Sequence, residues 1–254
     1  VMHLARPSRR NLIGILGASA FVVACSENTA TGRRQLMLVS DEALAGLGAQ
    51  AWQDALGRWP RVADAAIQRR LANIGQRVAA ASNIESQDWD FVVFDNPEVN
   101  AFVLPGGKVG FFRGLLDLVS SDDEVAAVVG HEVAHVSARH AAERMSQQMA
   151  LQLGLNVAAA ALSQEYGENA EAIAGALGAG VMYGVILPYS RMHELEADAL
   201  GVKLMSGAGF DPAGALSFWR RMLNNGEQAV EWLSTHPADG RRLESLAVIV
   251  EGKS

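Results

Sequence analysis

In the run His131-Glu132-Val133-Ala134-His135, two imidazoles stand four positions apart with a carboxylate beside the first. On a helix, positions i and i+4 lie one turn apart on one face, so both imidazoles would converge on a single point. Two histidines presented in this way suit a tetrahedral zinc ion. Such an ion polarises a carbonyl and lowers the pKa of water. Glu132 projects to the side where it could take a proton from that water and return it to a leaving amine. The chemistry within reach of these residues is metal-assisted hydrolysis of an amide. The competing reading is a pair of hydrogen-bonded core histidines.

Catalytic zinc often takes two histidines and one glutamate, and the downstream cluster Glu194-Leu195-Glu196-Ala197-Asp198 offers the carboxylates. Glu194 and Asp198 share a helical face, and Glu196 points roughly the opposite way. Glu194 as third ligand, with Asp198 accepting the N–H of a ligand histidine, makes a consistent assignment. His193 is a competing donor, about 100° around the helix from Glu194. A solvated acidic face is the bland alternative for the cluster.

These groups need a scaffold. Ser121, followed three residues later by Glu124, is a capping box that opens a helix through the histidine pair to about Met149. A second helix, Arg191 to about Met205, would carry the carboxylates. Upstream, Ser40 starts a helix to about Arg58, and another covers Ala63 to Ala81. Trp89–Phe94, Val99–Leu104 and Lys108–Phe112 read as strands, the last two separated by Pro105-Gly106-Gly107. Helices are expected over residues 212–225 and to about Val250, with Thr235-His236-Pro237 between them. The fold class is therefore α+β, mainly helical with a small sheet beside the active-site helix.

Composition agrees: 50% hydrophobic and 19% charged residues over 254 positions fit a folded globular chain, and abundant Ala and Gly predict close helix contacts. Arg6, Arg9 and Arg10 precede an apolar run from Asn11 to Ala24, the layout of an export signal. It ends at Cys25, the single cysteine, in the lipobox-like Val22-Val23-Ala24-Cys25. The expected organisation is a signal peptide over 1–24, a lipidated tether over 25–40 and a peptidase-like domain over 41–254. Loss of three arginines with the signal would move the net charge from −7 to −10, which argues against nucleic-acid binding. A lipidated Cys25 would attach the chain to a membrane, and Ser26, by resemblance to sorting behaviour in bacterial lipoproteins, suggests the outer one. Ala172–Tyr189, 18 uncharged residues, reads as a buried helix, with membrane insertion as the alternative.

The His131–His135 motif, followed by Ser190-Arg191-Met192-His193-Glu194-Leu195-Glu196-Ala197-Asp198, resembles the gluzincin family of the CAAX prenyl protease and the HtpX heat-shock peptidase. The nearest branch is that of periplasmic lipoprotein peptidases such as LoiP and BepA, and the mitochondrial Oma peptidase is also similar. Asn100-Ala101-Phe102-Val103-Leu104-Pro105-Gly106-Gly107 and Thr31-Gly32-Arg33-Arg34-Gln35-Leu36 strengthen the likeness, which covers roughly residues 25–250. The resemblance implies one zinc per chain on His131, His135 and Glu194, with Glu132 as general base. It marks Asp198 as orienting a ligand histidine. It marks Asn100, Ala101, Phe102 and Val103 as the edge strand to which a substrate peptide could add. His236 matches a histidine that approaches the metal in relatives; a regulatory or transition-state role stands against a capping loop. Arg191 would stabilise an oxyanion or pair with an acid. The repeat domain of BepA-like relatives and the membrane helices of the HtpX branch are not expected.

The function expected is a periplasm-facing endopeptidase acting on misfolded or misassembled envelope proteins. The alternative is an assembly or chaperone-like lipoprotein that uses the same metal-containing fold for binding.

Overall fold

The computed structural model describes residues 25–84, 87–166, 191–225, 230–237 and 240–252. The expected signal peptide and the Ala172–Tyr189 helix lie outside the described residues. Among the described residues, no helix is long and apolar enough to cross a membrane.

The chain from Cys25 is no loose tether at its start, which corrects that expectation for residues 25–36. β1 (Cys25–Glu27) and β2 (Arg34–Leu36) pair antiparallel, with Cys25 opposite Leu36. The turn between them is built by Asn28, whose side-chain oxygen accepts from the amides of Ala30 and Thr31. Asn28 and Gln35 are nevertheless buried. Polar composition misled here because these side chains find hydrogen-bond partners on the rest of the protein.

α1 (Asp41–Arg58) opens on Ser40, whose hydroxyl accepts from the Ala43 amide, and α2 (Ala65–Ala81) opens on Asp64, which accepts from Ala66. β3 (Asp90–Phe94), β4 (Ala101–Leu104) and β5 (Lys108–Phe112) form a sheet in the order β3-β5-β4. β3 runs parallel to β5 and β4 antiparallel to it. Gly106 and Gly107, both at positive φ, make the β4–β5 turn that the Pro-Gly-Gly run predicts. Both faces of β3 are covered, which is why its Phe91 to Phe94 run is apolar without alternation. One face, with Phe91, Val93, Val109 and Phe111, enters the main core with Leu71, Ile74 and Val78 of α2. The other, with Val92, Phe94 and Phe112, packs on Trp52 and Ala55 of α1.

After the sheet in chain order come α3 (Arg113–Leu118), α4 (Asp122–Ser137), α5 (His140–Tyr166), α6 (Arg191–Gly207), α7 (Ala213–Asn224), α8 (Val230–Thr235) and α9 (Gly240–Val250). The α4 start follows the expected cap on one side: Ser121 Oγ accepts from the Glu124 amide. Glu124 reaches back to the Ser120 amide at 2.6 Å and is met by Arg221.

A second expectation fails. The predicted continuous helix to Met149 is broken, because Arg139 sits at φ 54 and α5 begins afresh at His140. No Gly or Pro announces this. The carbonyls freed at the end of α4 are taken by the N-terminal hairpin: Asn28 Nδ2 donates to Ser137 O, and Gln35 Nε2 to Ala138 O. An unmatched helix end thus finds its partners far away in sequence.

Candidate metal centre

α4 and α6 cross at two glycines. A Cβ on Gly130 would lie 2.7 Å from the Gly201 carbonyl oxygen, and one on Gly201 would lie 2.9 Å from the His131 amide nitrogen. Only bare backbone permits this approach. It brings the histidine helix and the carboxylate helix together at the level of His131, and Glu194 and Asp198 fall on the buried face of α6.

One ligand atom each from His131, His135, Glu194 and His236 gathers within 4.8 Å. His131 Nε2 lies 3.1 Å from His135 Nε2 and 3.4 Å from Glu194 Oε2; His135 Nε2 is 3.6 Å from Glu194 Oε1. Asp198 fixes the first imidazole, its Oδ1 standing 3.0 Å from His131 Nδ1. Because Asp198 also accepts from Arg242, it is the acceptor here. In its neutral, cation-binding form His131 therefore carries its proton on Nδ1 and turns the Nε2 lone pair into the cluster.

These residues suit a cation. Neither oxygen of Glu194 has a hydrogen-bond partner, although both are buried. Arg242 Nη1 comes within 2.7 Å of Oε2, but outside hydrogen-bond geometry. The electrostatics lean the same way. Burial works against charge on His131, yet Asp198 and Glu194 outweigh it and raise its pKa to about 9. Burial also opposes ionisation of Glu194, and His131 more than reverses this, holding its pKa below the ordinary value. The cluster draws positive charge to the spot where the donor atoms meet.

Glu132 is buried beside the cluster, with Oε1 3.5 Å from His236 Nε2. Burial pushes its pKa up to about 7, against the pull of His131; Glu194 adds to the rise and the Val103 backbone amide opposes it. A carboxylate with a pKa near neutrality suits proton transfer in both directions. His236 follows α8, its amide donating to the Trp232 carbonyl. It is buried, and its ring lies flat on Trp232 at 4.1 Å between centroids. Burial lowers its pKa to about 3.

β4, with Ala101, Phe102 and Val103, is an edge of the sheet, and the Asn100 carbonyl still accepts from Phe112 just before it. A cleft of about 250 Å³ runs past this edge, lined by Leu44, Val103, Leu104, Pro105, His135 and Ala142 among others. Arg191 is exposed at the start of α6. The guanidinium that meets Glu194 and Asp198 is that of Arg242, on α9. Cys25 is half-buried at the head of β1.

Sequence reasoning missed a second polar group beyond the histidine pair. His140 Nδ1 lies 2.8 Å from His135 Nδ1, and His140 Nε2 lies 3.0 Å from Glu196 Oε2. Arg33 bridges Glu196 and Glu143, and Glu143 also meets Gln35 and His193. The available signals were a histidine five positions past His135 and the arginine-rich run at residues 31–36.

A buried His-His-Glu set on crossed helices, with a glutamate beside it and an open strand edge alongside, defines the class of metallopeptidases with two histidines on one helical turn. Within that class, the profile of peptidase family M48 matches residues 65–250, and the chain belongs to this family. It is 37% identical over 180 residues to the mitochondrial metalloendopeptidase OMA1 of Schizosaccharomyces pombe, covering 69% of this chain and 51% of that protein. Against the mitochondrial metalloendopeptidase OMA1 of Bos taurus it is 31% identical over 253 residues, covering 92% and 47%. The beta-barrel assembly-enhancing protease of Escherichia coli K12 is 29% identical over 197 residues, covering 74% and 39%. The chain spans about half the length of these curated relatives or less.

Proposed function

We propose that the protein is a zinc-dependent endopeptidase, with His131, His135 and Glu194 as ligands of one zinc ion and Glu132 as the general base. The observation that carries this reading is the convergence of the donor atoms within 4.8 Å, with Glu132 buried next to them. Zinc, when bound, supplies Lewis-acid polarisation of the scissile carbonyl and makes water easier to deprotonate. The Glu132 carboxylate takes the proton from the attacking water and returns it to the leaving nitrogen. Asp198 holds the His131 proton on Nδ1. The β4 edge from Asn100 to Val103 offers main-chain hydrogen bonds to an extended polypeptide, which tolerates many side chains.

The substrates we infer are misfolded or misassembled cell-envelope proteins. Support comes from the export-signal layout before Cys25 and from the likeness to a protease whose name refers to β-barrel assembly. Cys25 is the candidate lipid attachment point, on the periplasmic side of the envelope and in the outer membrane.

The deciding experiment compares the parent with Glu132→Gln, using metal analysis and casein cleavage. The variant should keep about one zinc per chain and lose turnover by at least about 100-fold. Equal cleavage by both would remove Glu132 from the mechanism. If Glu132→Gln complemented an envelope defect in cells, the chaperone-like reading would replace the proteolytic one.

A further inference from the structure

We infer that His140 and Glu196, held by Arg33 of the N-terminal hairpin, are positioning residues that fix the tautomer of His135 for metal binding. The inference rests on the zinc reading above and adds residues that the ligand set does not include.

The chain of donors can be worked inward from solvent. Arg33 donates from Nε to Glu196 Oε1 at 2.7 Å and from Nη1 to Glu143 Oε1 at 2.7 Å, which marks both carboxylates as ionised acceptors. Glu196 Oε2 then accepts from His140 Nε2 at 3.0 Å. A neutral imidazole has one N–H and one lone pair, so the lone pair of His140 is on Nδ1. That atom stands 2.8 Å from His135 Nδ1, and the proton between them belongs to His135. His135 is left with its lone pair on Nε2, the atom that faces His131 and Glu194.

The two ligand histidines are therefore set by different means. His131 is set directly by a carboxylate, whereas His135 is set by a second imidazole that is itself set by a carboxylate. Carboxylate partners of ligand histidines orient the ring and raise its basicity.

The helix break is what makes this possible. Five residues further along an unbroken helix, a side chain would be turned about 140° away from His135. With Arg139 in the left-handed region, His140 returns beneath His135 and its ring stacks on His193 at 4.3 Å. The hairpin secures the break from the other side through Asn28 and Gln35. Arg33 and Gln35 lie ahead of the stretch that the family profile matches, so part of the ligand-orienting apparatus comes from a segment outside it.

The test measures zinc affinity by chelator competition, and the His135 tautomer by long-range 1H–15N spectra of the zinc-loaded protein. The variants are His140→Phe, His140→Asn and Glu196→Ala. Asn places a carbonyl oxygen near the position of Nδ1 and should keep most of the affinity. Phe removes the acceptor and should raise the zinc Kd by about 10- to 100-fold, with loss of the His135 Nδ1–H resonance. Glu196 is only partly buried, so Glu196→Ala should fold even if the Phe variant does not, and it should weaken zinc measurably. Parent-like zinc affinity in His140→Phe or in Glu196→Ala overturns the relay and leaves the zinc reading intact. So does a parent spectrum with the His135 proton on Nε2. A parent that binds no zinc overturns the metallopeptidase reading, and the relay with it.

Discussion

Arg242 grips Asp198 with two hydrogen bonds, Nε to Oδ2 and Nη2 to Oδ1, each 2.8 Å long. The same guanidinium stands 2.7 Å from a Glu194 oxygen, donates to the Pro237 carbonyl and lies over the Trp219 ring. One buried cation therefore balances two carboxylates and ties α9 to α6, while Pro237, next to His236, is held by the same group.

Replacing Arg242 with Met keeps the apolar stem but leaves Asp198 and Glu194 buried without their counter-charge. Breaking such a pair costs about 3–5 kcal/mol. The expected result of urea unfolding is a loss in that range for the metal-free protein, and a smaller loss with zinc present, because a bound dication would compensate part of the charge. Equal losses in both states would show that Arg242 acts through packing on Trp219 alone.

Acid should loosen the hairpin. Burial opposes ionisation of Glu143, but hydrogen bonds from Arg33 and His193 prevail and bring its pKa from 4.5 down to about 2. A depressed folded-state pKa contributes stability that is present above the unfolded value and lost on acidification. The contribution of Glu143 is thus complete above pH 4.5 and disappears as the pH falls towards 2. Urea midpoints measured across that window should fall more steeply for the parent than for Glu143→Gln; parallel curves would rule the ion-pair cluster out as the acid-labile element.

The helix caps at Ser40 and Ser121, the Pro-Gly-Gly turn and the opposition of Glu194 and Glu196 on α6 are all legible in the sequence. Each depends on residues within a few positions of one another, where periodicity and local hydrogen bonding decide the outcome. What the sequence hides is tertiary. The end of α4 at Ala138 carries no Gly or Pro; it is stabilised by Asn28 and Gln35, more than a hundred positions earlier. Arg242 carries no local signal of its role: it reaches Asp198 and Glu194 only because α9 packs against α6. An unbroken helix would turn His140 away from His135, so its place beside that ring follows only from the break at Arg139.

The glycine crossing offers a test of how closely the site depends on helix spacing. Gly201→Ala has two opposed effects. Ala favours a helix interior over Gly by about 1 kcal/mol, but its methyl would meet the His131 amide nitrogen at 2.9 Å and the Gly130 carbonyl carbon at 3.0 Å. Backbone atoms of a buried helix do not yield as a side-chain tip would, and overpacking of this kind costs about 1–3 kcal/mol. The second effect should win, so the variant should unfold at lower urea. It should also bind zinc more weakly, because moving α6 off α4 carries Glu194 and Asp198 away from His131. Gly46→Ala is the control: it is exposed on α1 with nothing within 4 Å of the new methyl, and should stabilise the protein slightly without touching zinc affinity. A Gly201→Ala protein as stable as the parent and equally tight for zinc would mean that the two helices can part without disturbing the ligands.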